Sequence, residues 1–283
     1  MSDDFVQYCL RSYFHIMEEF GLYGYDVIKS KDNPVVKLYQ KLASMKKERI
    51  LYGLFVLEGL RIVQDALKEE SHIRHILVTV QAMSKFSDEL SQVDLKDAKL
   101  IVISNELGNK IAQTEKTQGI FAICEIPHQK EIVLNENGKY IVLNELQDPG
   151  NAGMIIRTAD ALGIDGIIMC GCCDLYSPKV IRSTMGSVFR MKIWVENDKE
   201  KLFNILDKYN ILSYASVIDK DAEKINNCDF SKGSAVFIGN EGNGLPEEVS
   251  ARCNYRITIP MNGNINSLNA AMAAGIIMWE LKK

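Results

Sequence analysis

Two turns rich in Gly, Asn and Pro, each following a short apolar run, are the part of the sequence best suited to bind a ligand. The first follows residues 236–238 and reads G-N-E-G-N-G-L-P; the second follows residues 257–259 and begins P-M-N-G-N-I-N-S-L-N. Glycines let the backbone turn tightly and approach a ligand closely. Because open α/β sheets place ligands at the carboxyl ends of their strands, the two turns predict such a site.

The charge of the first turn limits what it can bind. Residues 239–246 contain one carboxylate, Glu241, and no Lys or Arg, which disfavours a polyphosphate. Their glycine spacing, G-x-x-G-x-G, is not the dinucleotide fingerprint, and no P-loop ending is present. The residues therefore favour a backbone-lined pocket for an uncharged or sulfonium-type ligand. Two tight turns in an ordinary sheet are the alternative that these patterns leave open.

Three segments carry a resemblance to a known family. They are N-E-L-Q-D-P-G-N-A-G-M-I-I-R-T-A-D-A-L-G (144–163), F-I-G-N-E-G-N-G-L-P (237–246) and I-P-M-N-G-N-I-N-S-L-N-A-A-M-A-A (259–274). In this order they resemble the SpoU (TrmH) branch of the SPOUT methyltransferases, over residues 140–281. The resemblance implies a parallel α/β sheet whose C-terminal segment forms a trefoil knot, and a homodimer built through the knot region.

The resemblance also implies a reaction: methyl transfer from S-adenosylmethionine to a ribose 2′-hydroxyl of RNA. The stretch N-A-G-M-I-I-R-T-A matches the family's N-x-G-x-x-x-R-x-A, whose Arg is catalytic, so Arg157 is expected to activate the 2′-hydroxyl from the partner subunit. The catalytic set implied has polar side chains: Asn151, Arg157, Glu241, Ser267 and Asn269. The residues implied to hold the cofactor do so through backbone groups and apolar contact: Gly239, Gly244, Ile259, Met261 and Leu268. No metal is expected.

The elements around these segments alternate between strands and helices. Residues 140–143 and 164–169 are predicted strands, and a helix over residues 151–162 is predicted to end at Gly163. Residues 187–195 are typical of a strand. Ser267 is predicted to be the N-cap of a final helix over residues 268–281. The methyltransferase domain is placed at residues 139–283.

The first half of the chain predicts a smaller α/β domain over residues 28–127. It resembles the ribosomal-protein-like domain that grips RNA in many SpoU enzymes. Asn33-Pro34 is typical of a helix start, and residues 29–61 carry eight Lys or Arg against three acidic residues. A basic patch on an acidic chain suits a specific RNA contact, although a solvated helix face explains it equally well. Lys37, Lys41 and Arg49 are expected to project outward. The RNA contacts predicted are basic residues: Lys37, Lys41, Lys46, Lys47, Arg49, Arg61 and, in the second domain, Arg182.

Two segments lie outside these domains. Apolar residues at helical spacing predict an amphipathic helix over residues 3–20, within an N-terminal helical extension placed at residues 1–27. Residues 128–138 follow a proline, are polar and contain Asn-Gly, which predicts a linker.

Composition restricts the class of protein. The chain has 283 residues, a net charge of −4, 47% hydrophobic and 25% charged residues, as in soluble globular proteins. No apolar run spans a membrane, and the acidic N-terminus lacks a signal pattern, so we expect a cytoplasmic protein with no membrane partner. The seven cysteines fit free thiols, and the run at residues 170–173 fits packed thiols better than zinc ligands.

The layout of the two domains resembles relatives that act on large-subunit rRNA, so we expect 23S rRNA as the substrate and no DNA partner. A tRNA 2′-O-methyltransferase and a catalytically inactive RNA-binding module for ribosome assembly are the alternatives. An oxidoreductase is disfavoured by the missing dinucleotide fingerprint. Small residues dominate residues 270–275, which fits either a dimer contact or packing against the chain's own sheet.

Overall fold

The computed structural model describes residues 27–91, 95, 97–129, 131–261, 263 and 267–283. They form two compact units: the described residues up to Pro127 with residues 176–178, and residues 128–175 with 179–283. The helix predicted over residues 3–20 lies outside the described residues. No helix among the described residues is long and apolar enough to cross a membrane.

The first unit alternates helices and strands around one small sheet. Its elements are α1 (Pro34–Ser44), α2 (Lys46–Tyr52), β1 (Leu54–Glu58), α3 (Leu60–Lys68), β2 (Ile73–Thr79), α4 (Val80–Lys85), α5 (Ser87–Ser91), β3 (Lys99–Ile103), α6 (Asn105–Ile111) and β4 (Ile120–Glu125). The strand order is β1-β4-β2-β3, with β4 antiparallel to both neighbours and β2 parallel to β3.

The start of α1 is set as the sequence predicts. Asn33 is the N-cap, and its side chain accepts hydrogen bonds from the backbone N–H groups of Val35 and Val36. The buried side of the helix contains Val36, Tyr39 and Leu42, all inaccessible to solvent. Tyr39 packs edge-on against Phe121 of β4, at 5.4 Å between ring centroids. This contact anchors the helix to the sheet.

The prediction that Arg49 projects outward is wrong. The helix ends at Ser44, Met45 is extended, and a second helix begins at Lys46. That break turns Arg49 inward, where it is 5% exposed and donates from Nη1 to the carbonyl of Leu42. Because the last carbonyls of a helix lack intrahelical partners, the guanidinium satisfies the end of α1. Arg49 is a structural cation and is not available to RNA.

The second unit contains seven strands in one sheet. Its elements are β5 (Lys139–Asn144), α7 (Pro149–Leu162), β6 (Gly166–Cys170), α8 (Pro178–Thr184), α9 (Ser187–Arg190), β7 (Ile193–Val195), α10 (Lys199–Lys208), β8 (Leu212–Ser216), β9 (Glu223–Lys224), a 3₁₀ turn (Ile225–Asn227), β10 (Ser234–Ile238), α11 (Glu247–Arg252), β11 (Tyr255–Thr258) and α12 (Ala270–Leu281).

The order of this sheet decides which turns can meet. The strands run β7-β6-β5-β10-β8-β11-β9 and every pair is parallel. The turns after β5 and β10 are therefore immediate neighbours. The turns after β10 and β11, which the sequence predicts to form one ligand site, are not immediate neighbours, because β8 lies between their strands. Sequence order alone does not reveal such crossovers.

A second prediction fails at residues 187–195. The expected single strand is a short helix, α9, followed by the three-residue strand β7. Gly186 has a φ of +88°, which ends α8 and starts the new helical turn. The apolar residues of α9 have the composition of a strand. Four residues are too few for a helical periodicity to be recognised in the sequence.

Candidate active site at the carboxyl edge of the sheet

The first residues of α7 are held by a strong N-cap. The carboxylate of Asp148 accepts from the backbone N–H of Asn151 at 2.8 Å, and Pro149 occupies the first helical position, where a missing N–H costs nothing. Gly163, with a φ of +65°, ends the helix as predicted. Asn151 is thereby fixed in the first turn, 8% exposed and directly beyond β5.

Glu241 joins the turn after β10 to the start of α7. Its carboxylate accepts from the backbone N–H groups of Gln147 at 3.1 Å and Asp148 at 2.9 Å, and from Nδ2 of Asn151 at 3.1 Å. Three donors converging on one carboxylate make a rigid, charge-assisted link between the two neighbouring turns.

The same hydrogen bonds determine the ionisation of Glu241. Burial alone would raise its pKa, but the donors from Gln147, Asp148 and Asn151 together outweigh burial and hold the pKa below its ordinary value. Glu241 is therefore an anion at neutral pH, so it accepts hydrogen bonds and has no proton to donate.

Asn269 brings the third segment to the same place. Its Nδ2 donates to Oδ1 of Asn151 at 3.0 Å, so Asn269, Asn151 and Glu241 form one chain of hydrogen bonds. Its Oδ1 accepts from the backbone N–H groups of Ala271 and Met272, which makes Asn269 the N-cap of α12. The prediction that Ser267 caps this helix is wrong. Ser267 lies two residues earlier, exposed and outside any regular element.

The turn after β10 has no room for a side chain at its first position. A Cβ added at Gly239 would lie 2.2 Å from the carbonyl carbon of Gly244 and 2.3 Å from the amide of Leu245. Asn240 and Gly244 exchange backbone hydrogen bonds of 2.9 Å in both directions, and Gly244 has a φ of +67°. Gly239 and Gly244 therefore close the loop tightly.

The other predicted cofactor residues follow β11. Ile259 and Met261 are partly buried, and Leu268 is an exposed apolar side chain, 41% accessible. These residues suit S-adenosylmethionine by their chemistry: its adenine needs apolar walls and backbone partners, and its sulfonium tolerates the anionic Glu241. The residues present fit this cofactor.

Arg157 lies on α7, six residues after Asn151, on a different side of the helix. It is exposed and forms no hydrogen bond or ion pair with any residue that the structure describes. The structure thus brings Asn151, Glu241 and Asn269 together, and Arg157 forms no hydrogen bond with any of the three. An unpaired exposed guanidinium can donate to an anionic oxygen of a ligand or of a second chain.

The predicted RNA contacts of the first unit are exposed apart from Arg49: Lys37, Lys41, Lys46, Lys47 and Arg61. Lys37 forms an ion pair with Asp32 at 2.8 Å. The exposed apolar residues Ile50, Leu51 and Tyr52 follow Lys46 and Lys47 on α2.

Two residues that position the site were not predicted. Asn240 donates from Nδ2 to the carbonyl of Glu145 at 2.9 Å, and its Oδ1 accepts from the amides of Gly242 and Asn243. An Asn followed two residues later by Gly favours such an Asx turn, so the signal was available. Lys199 forms ion pairs with Glu145 at 3.1 Å and Glu248 at 3.0 Å, for which the sequence offers no signal.

The cysteines after β6 are protonated packing groups. Cys172 donates to the carbonyl of Leu143 at 3.1 Å. Burial raises the pKa of Cys172 to about 12 and that of Cys173 to about 11. Within the described residues, no group of three His, Cys, Asp or Glu side chains could hold a metal ion.

Comparison with known proteins identifies the family. Residues 138–279 match the SpoU rRNA Methylase family, and residues 33–122 match the MRM3-like substrate binding domain. The chain belongs to the SpoU rRNA methylase family. Among relatives of this SpoU methylase, the 23S rRNA (guanosine(2553)-2′-O)-methyltransferase RlmP of Bacillus subtilis is 30% identical, with 90% of this chain and 98% of the relative covered. The 23S rRNA (uridine(2479)-2′-O)-methyltransferase of Streptomyces viridochromogenes is 29% identical, with 86% and 87% covered.

Solved structures agree with the fold and the cofactor. The SpoU methyltransferase AviRb from Streptomyces viridochromogenes, in complex with AdoMet, superposes with a TM-score of 0.80 at 27% identity, covering 88% of this chain and 97% of that one. The AdoMet-bound rRNA methyltransferase from Sinorhizobium meliloti gives 0.75 at 28% identity, covering 91% and 97%. These comparisons confirm the predicted family, α/β fold and S-adenosylmethionine-dependent RNA methyltransferase class.

The charge of Glu241 predicts a pH-dependent contribution to stability. A carboxylate whose folded pKa is depressed stabilises the fold above its unfolded pKa, and this contribution is lost as pH falls through the folded pKa. We expect wild type to exceed Glu241→Gln in stability at pH 7. The difference should shrink below the ordinary value of 4.5. Urea denaturation from pH 7 to acid measures it.

Glu136→Gln, at an exposed position before β5, controls for the removal of one negative charge. A difference between wild type and Glu241→Gln that stays constant with pH would show that the hydrogen bonds to Glu241 do not depend on its charge.

Proposed function

We propose that this SpoU methylase transfers the methyl group of S-adenosylmethionine to a ribose 2′-hydroxyl of ribosomal RNA, in the large subunit. The observation that carries the proposal is the hydrogen-bonded chain Glu241–Asn151–Asn269, which joins the turns after β5, β10 and β11 next to the glycine loop. Relatives named as 23S rRNA 2′-O-methyltransferases support the choice of RNA and of the ribose oxygen.

The proposed mechanism depends on positioning. The bound cofactor supplies an electrophilic methyl on its sulfonium. Gly239 and Gly244 offer backbone groups to the cofactor, and Ile259, Met261 and Leu268 offer apolar contact. Bringing the methyl and the attacking oxygen into line is worth several kcal/mol, up to roughly 10.

The polar chain keeps this geometry rigid. Both polar atoms of the Asn151 amide are occupied, by Glu241 and by Asn269, so Asn151 orients the turns and does not transfer protons. Ser267, exposed beside Asn269, is available to hydrogen-bond the substrate. Arg157 stabilises the negative charge that develops on the 2′-oxygen while the hydroxyl proton passes to solvent water, because a guanidinium stays protonated in proteins.

The active unit proposed is a homodimer. In it, Arg157 of one subunit acts in the active site of the other subunit. Arg157 is exposed and forms no hydrogen bond with the polar chain of its own subunit. Beside it, an apolar stripe is exposed on α12: Met272 is 58% accessible, Ile276 36% and Trp279 59%. Met154, three residues before Arg157, adds to it at 50%. Exposed apolar patches of this kind favour a protein interface, and a second copy seated here receives Arg157.

We expect Trp279→Asp to convert the dimer into a monomer, because a carboxylate in the centre of an apolar interface stays unpaired. Sedimentation velocity at micromolar concentration measures the mass. Ile218→Asp, at a 68% exposed apolar position outside the stripe, is the matched control and should leave the mass unchanged. If Trp279→Asp sediments with the same mass as wild type, the apolar stripe on α12 is not part of a dimer interface.

The first unit is proposed to bind the RNA through its exposed lysines. Arg49 is no longer among the proposed RNA contacts, because its side chain is buried. Lys46 and Lys47 lie on the same short helix as Tyr52, an exposed aromatic ring on which a base can stack. The trefoil knot and a cytoplasmic location, both expected from the sequence, remain predictions.

The test compares RNA classes. Purified protein is incubated with methyl-labelled S-adenosylmethionine and, separately, with unmodified large-subunit rRNA, small-subunit rRNA and tRNA. Label in large-subunit rRNA supports the proposal, and label in tRNA alone overturns the choice of RNA. Cofactor binding by calorimetry without transfer to any RNA, free or in ribosome assembly intermediates, would favour the inactive RNA-binding module.

A further inference from the structure

The turn after β5 begins with a residue in an unusual backbone conformation. Glu145 has a φ of +59°, in the left-handed region that residues other than Gly rarely adopt. Three hydrogen bonds hold it there. Its N–H donates to the carbonyl of Cys170 at 2.7 Å, and its own carbonyl accepts from Nε2 of Gln147 at 3.1 Å and Nδ2 of Asn240 at 2.9 Å. The backbone of Glu145 therefore binds the beginning of the turn after β10.

The carboxylate of Glu145 shares one cation with an acid of α11. Nζ of Lys199, the first residue of α10, lies 3.1 Å from Oε1 of Glu145 and 3.0 Å from Oε1 of Glu248. Glu248 is the second residue of α11. The hydrogen bonds with Glu248 and Glu145 raise the pKa of Lys199, so its ammonium group is charged at neutral pH. One cation therefore joins the turn after β5 to the start of α11.

These contacts hold both ends of the glycine loop, residues 239–246. Near its beginning, Asn240 is bonded to the carbonyl of Glu145. Directly after its end, Glu248 is bonded to Lys199, which also holds the carboxylate of Glu145. Because both carboxylates contact the same nitrogen atom, they would repel each other if that cation were removed. Loss of Lys199 should therefore separate α11 from the turn after β5 and loosen the loop between them.

We propose that Lys199 is a positioning residue for methyl transfer: its two ion pairs hold the glycine loop in the conformation that binds S-adenosylmethionine. This inference rests on the proposed contacts of Gly239 and Gly244 with the cofactor. Lys199 acts through the loop and does not itself bind the cofactor. The side chains of Lys199, Glu145 and Glu248 are 31%, 43% and 73% exposed, so dissolved salt screens both ion pairs.

The experiment measures S-adenosylmethionine affinity by calorimetry for Lys199→Met and Lys199→Arg. We expect Lys199→Met to weaken binding about three- to tenfold, because two modest ion pairs are lost and two carboxylates are left facing each other. The difference from wild type should narrow as salt rises from about 0.05 to 0.5 M, since screening removes the contribution of the ion pairs. Lys199→Arg should restore most of the affinity, because a guanidinium can donate to both carboxylates.

Kinetics and hydrogen exchange separate positioning of the loop from a general loss of stability. In Lys199→Met, the KM for S-adenosylmethionine should rise by the same factor as the dissociation constant, with kcat nearly unchanged, since only cofactor binding is affected. The backbone amides of Asn240 and Gly244 each donate to the other residue's carbonyl at 2.9 Å. In the cofactor-free variant these two amides should exchange faster than in wild type, and the amides of the first unit should exchange at the wild-type rate.

Lys201→Met is the matched control. Lys201 lies on the same helix, and its ion pair with Glu196 at 2.6 Å involves neither turn, so affinity and exchange should match wild type. Unchanged cofactor affinity in a folded Lys199→Met protein overturns the inference, as do equal losses in Lys199→Met and Lys201→Met. A wild-type protein that binds the cofactor but transfers no methyl to RNA disproves the proposed reaction, and the affinity of Lys199→Met still tests the role of Lys199.

Discussion

Replacing Arg157 by Lys is expected to reduce methyl transfer by roughly a hundred- to a thousandfold, the usual cost of removing a donor to a developing oxyanion. Lysine keeps the charge but not the planar pair of donors. Arg157 is exposed and supports no described contact within its own chain, so the variant should fold normally. Single-turnover transfer from labelled S-adenosylmethionine, at saturating RNA, measures the effect.

Cofactor affinity separates a catalytic from a structural role. Calorimetry should give the same S-adenosylmethionine affinity for wild type and Arg157→Lys. Arg252→Lys changes an exposed arginine of α11 that lies outside the three segments and pairs with Asp207, so this variant should retain full transfer. If Arg157→Lys transfers methyl at the wild-type rate, Arg157 has no part in activating the ribose hydroxyl.

Replacing Gly239 by Ala is expected to abolish most cofactor binding. The new methyl group would lie 2.2 Å from the backbone of Gly244, so the closed loop after β10 must open. Overpacking against backbone typically costs about 1–3 kcal/mol. We therefore expect at least about a tenfold loss in S-adenosylmethionine affinity, with a lower melting temperature. Isothermal titration calorimetry and thermal unfolding measure both.

Gly242→Ala is the matched control within the same loop. A Cβ at Gly242 would meet only Oδ1 of Asn240, at 3.6 Å, which is ordinary contact. Its cofactor affinity should stay near that of wild type. Equal losses of cofactor affinity in both variants would show that any added methyl group disturbs the loop. The close approach of Gly239 to Gly244 would then not explain the effect of Gly239→Ala.

Local patterns in the sequence predicted the elements that carry the site. Asn33-Pro34 marked the start of α1, and Gly163 marked the end of α7, because cap residues act within one turn. The three segments identified Asn151, Glu241 and Asn269, which the structure joins by hydrogen bonds. The distances were not predictable, because they depend on β5 and β10 being neighbours in the sheet.

The errors arose where tertiary contacts override local preference. Arg49 has the composition and spacing of a surface cation, but the break at Met45 turns it onto the carbonyl of Leu42. Ser267 is a good N-cap by residue type, but Asn269 also bonds Asn151, so the helix begins later. Neither the break nor the cross-link between segments leaves a periodic pattern in the sequence.

The identity of the methylated nucleoside tests directly whether this protein methylates a ribose of large-subunit rRNA. Large-subunit rRNA methylated by the purified protein is digested to nucleosides and analysed by mass spectrometry. We expect label on the ribose of a single 2′-O-methylnucleoside, formed at least about a hundredfold more slowly by Arg157→Lys. Label on a base, or a ribose-methylated product of undiminished amount with that variant, would contradict this expectation.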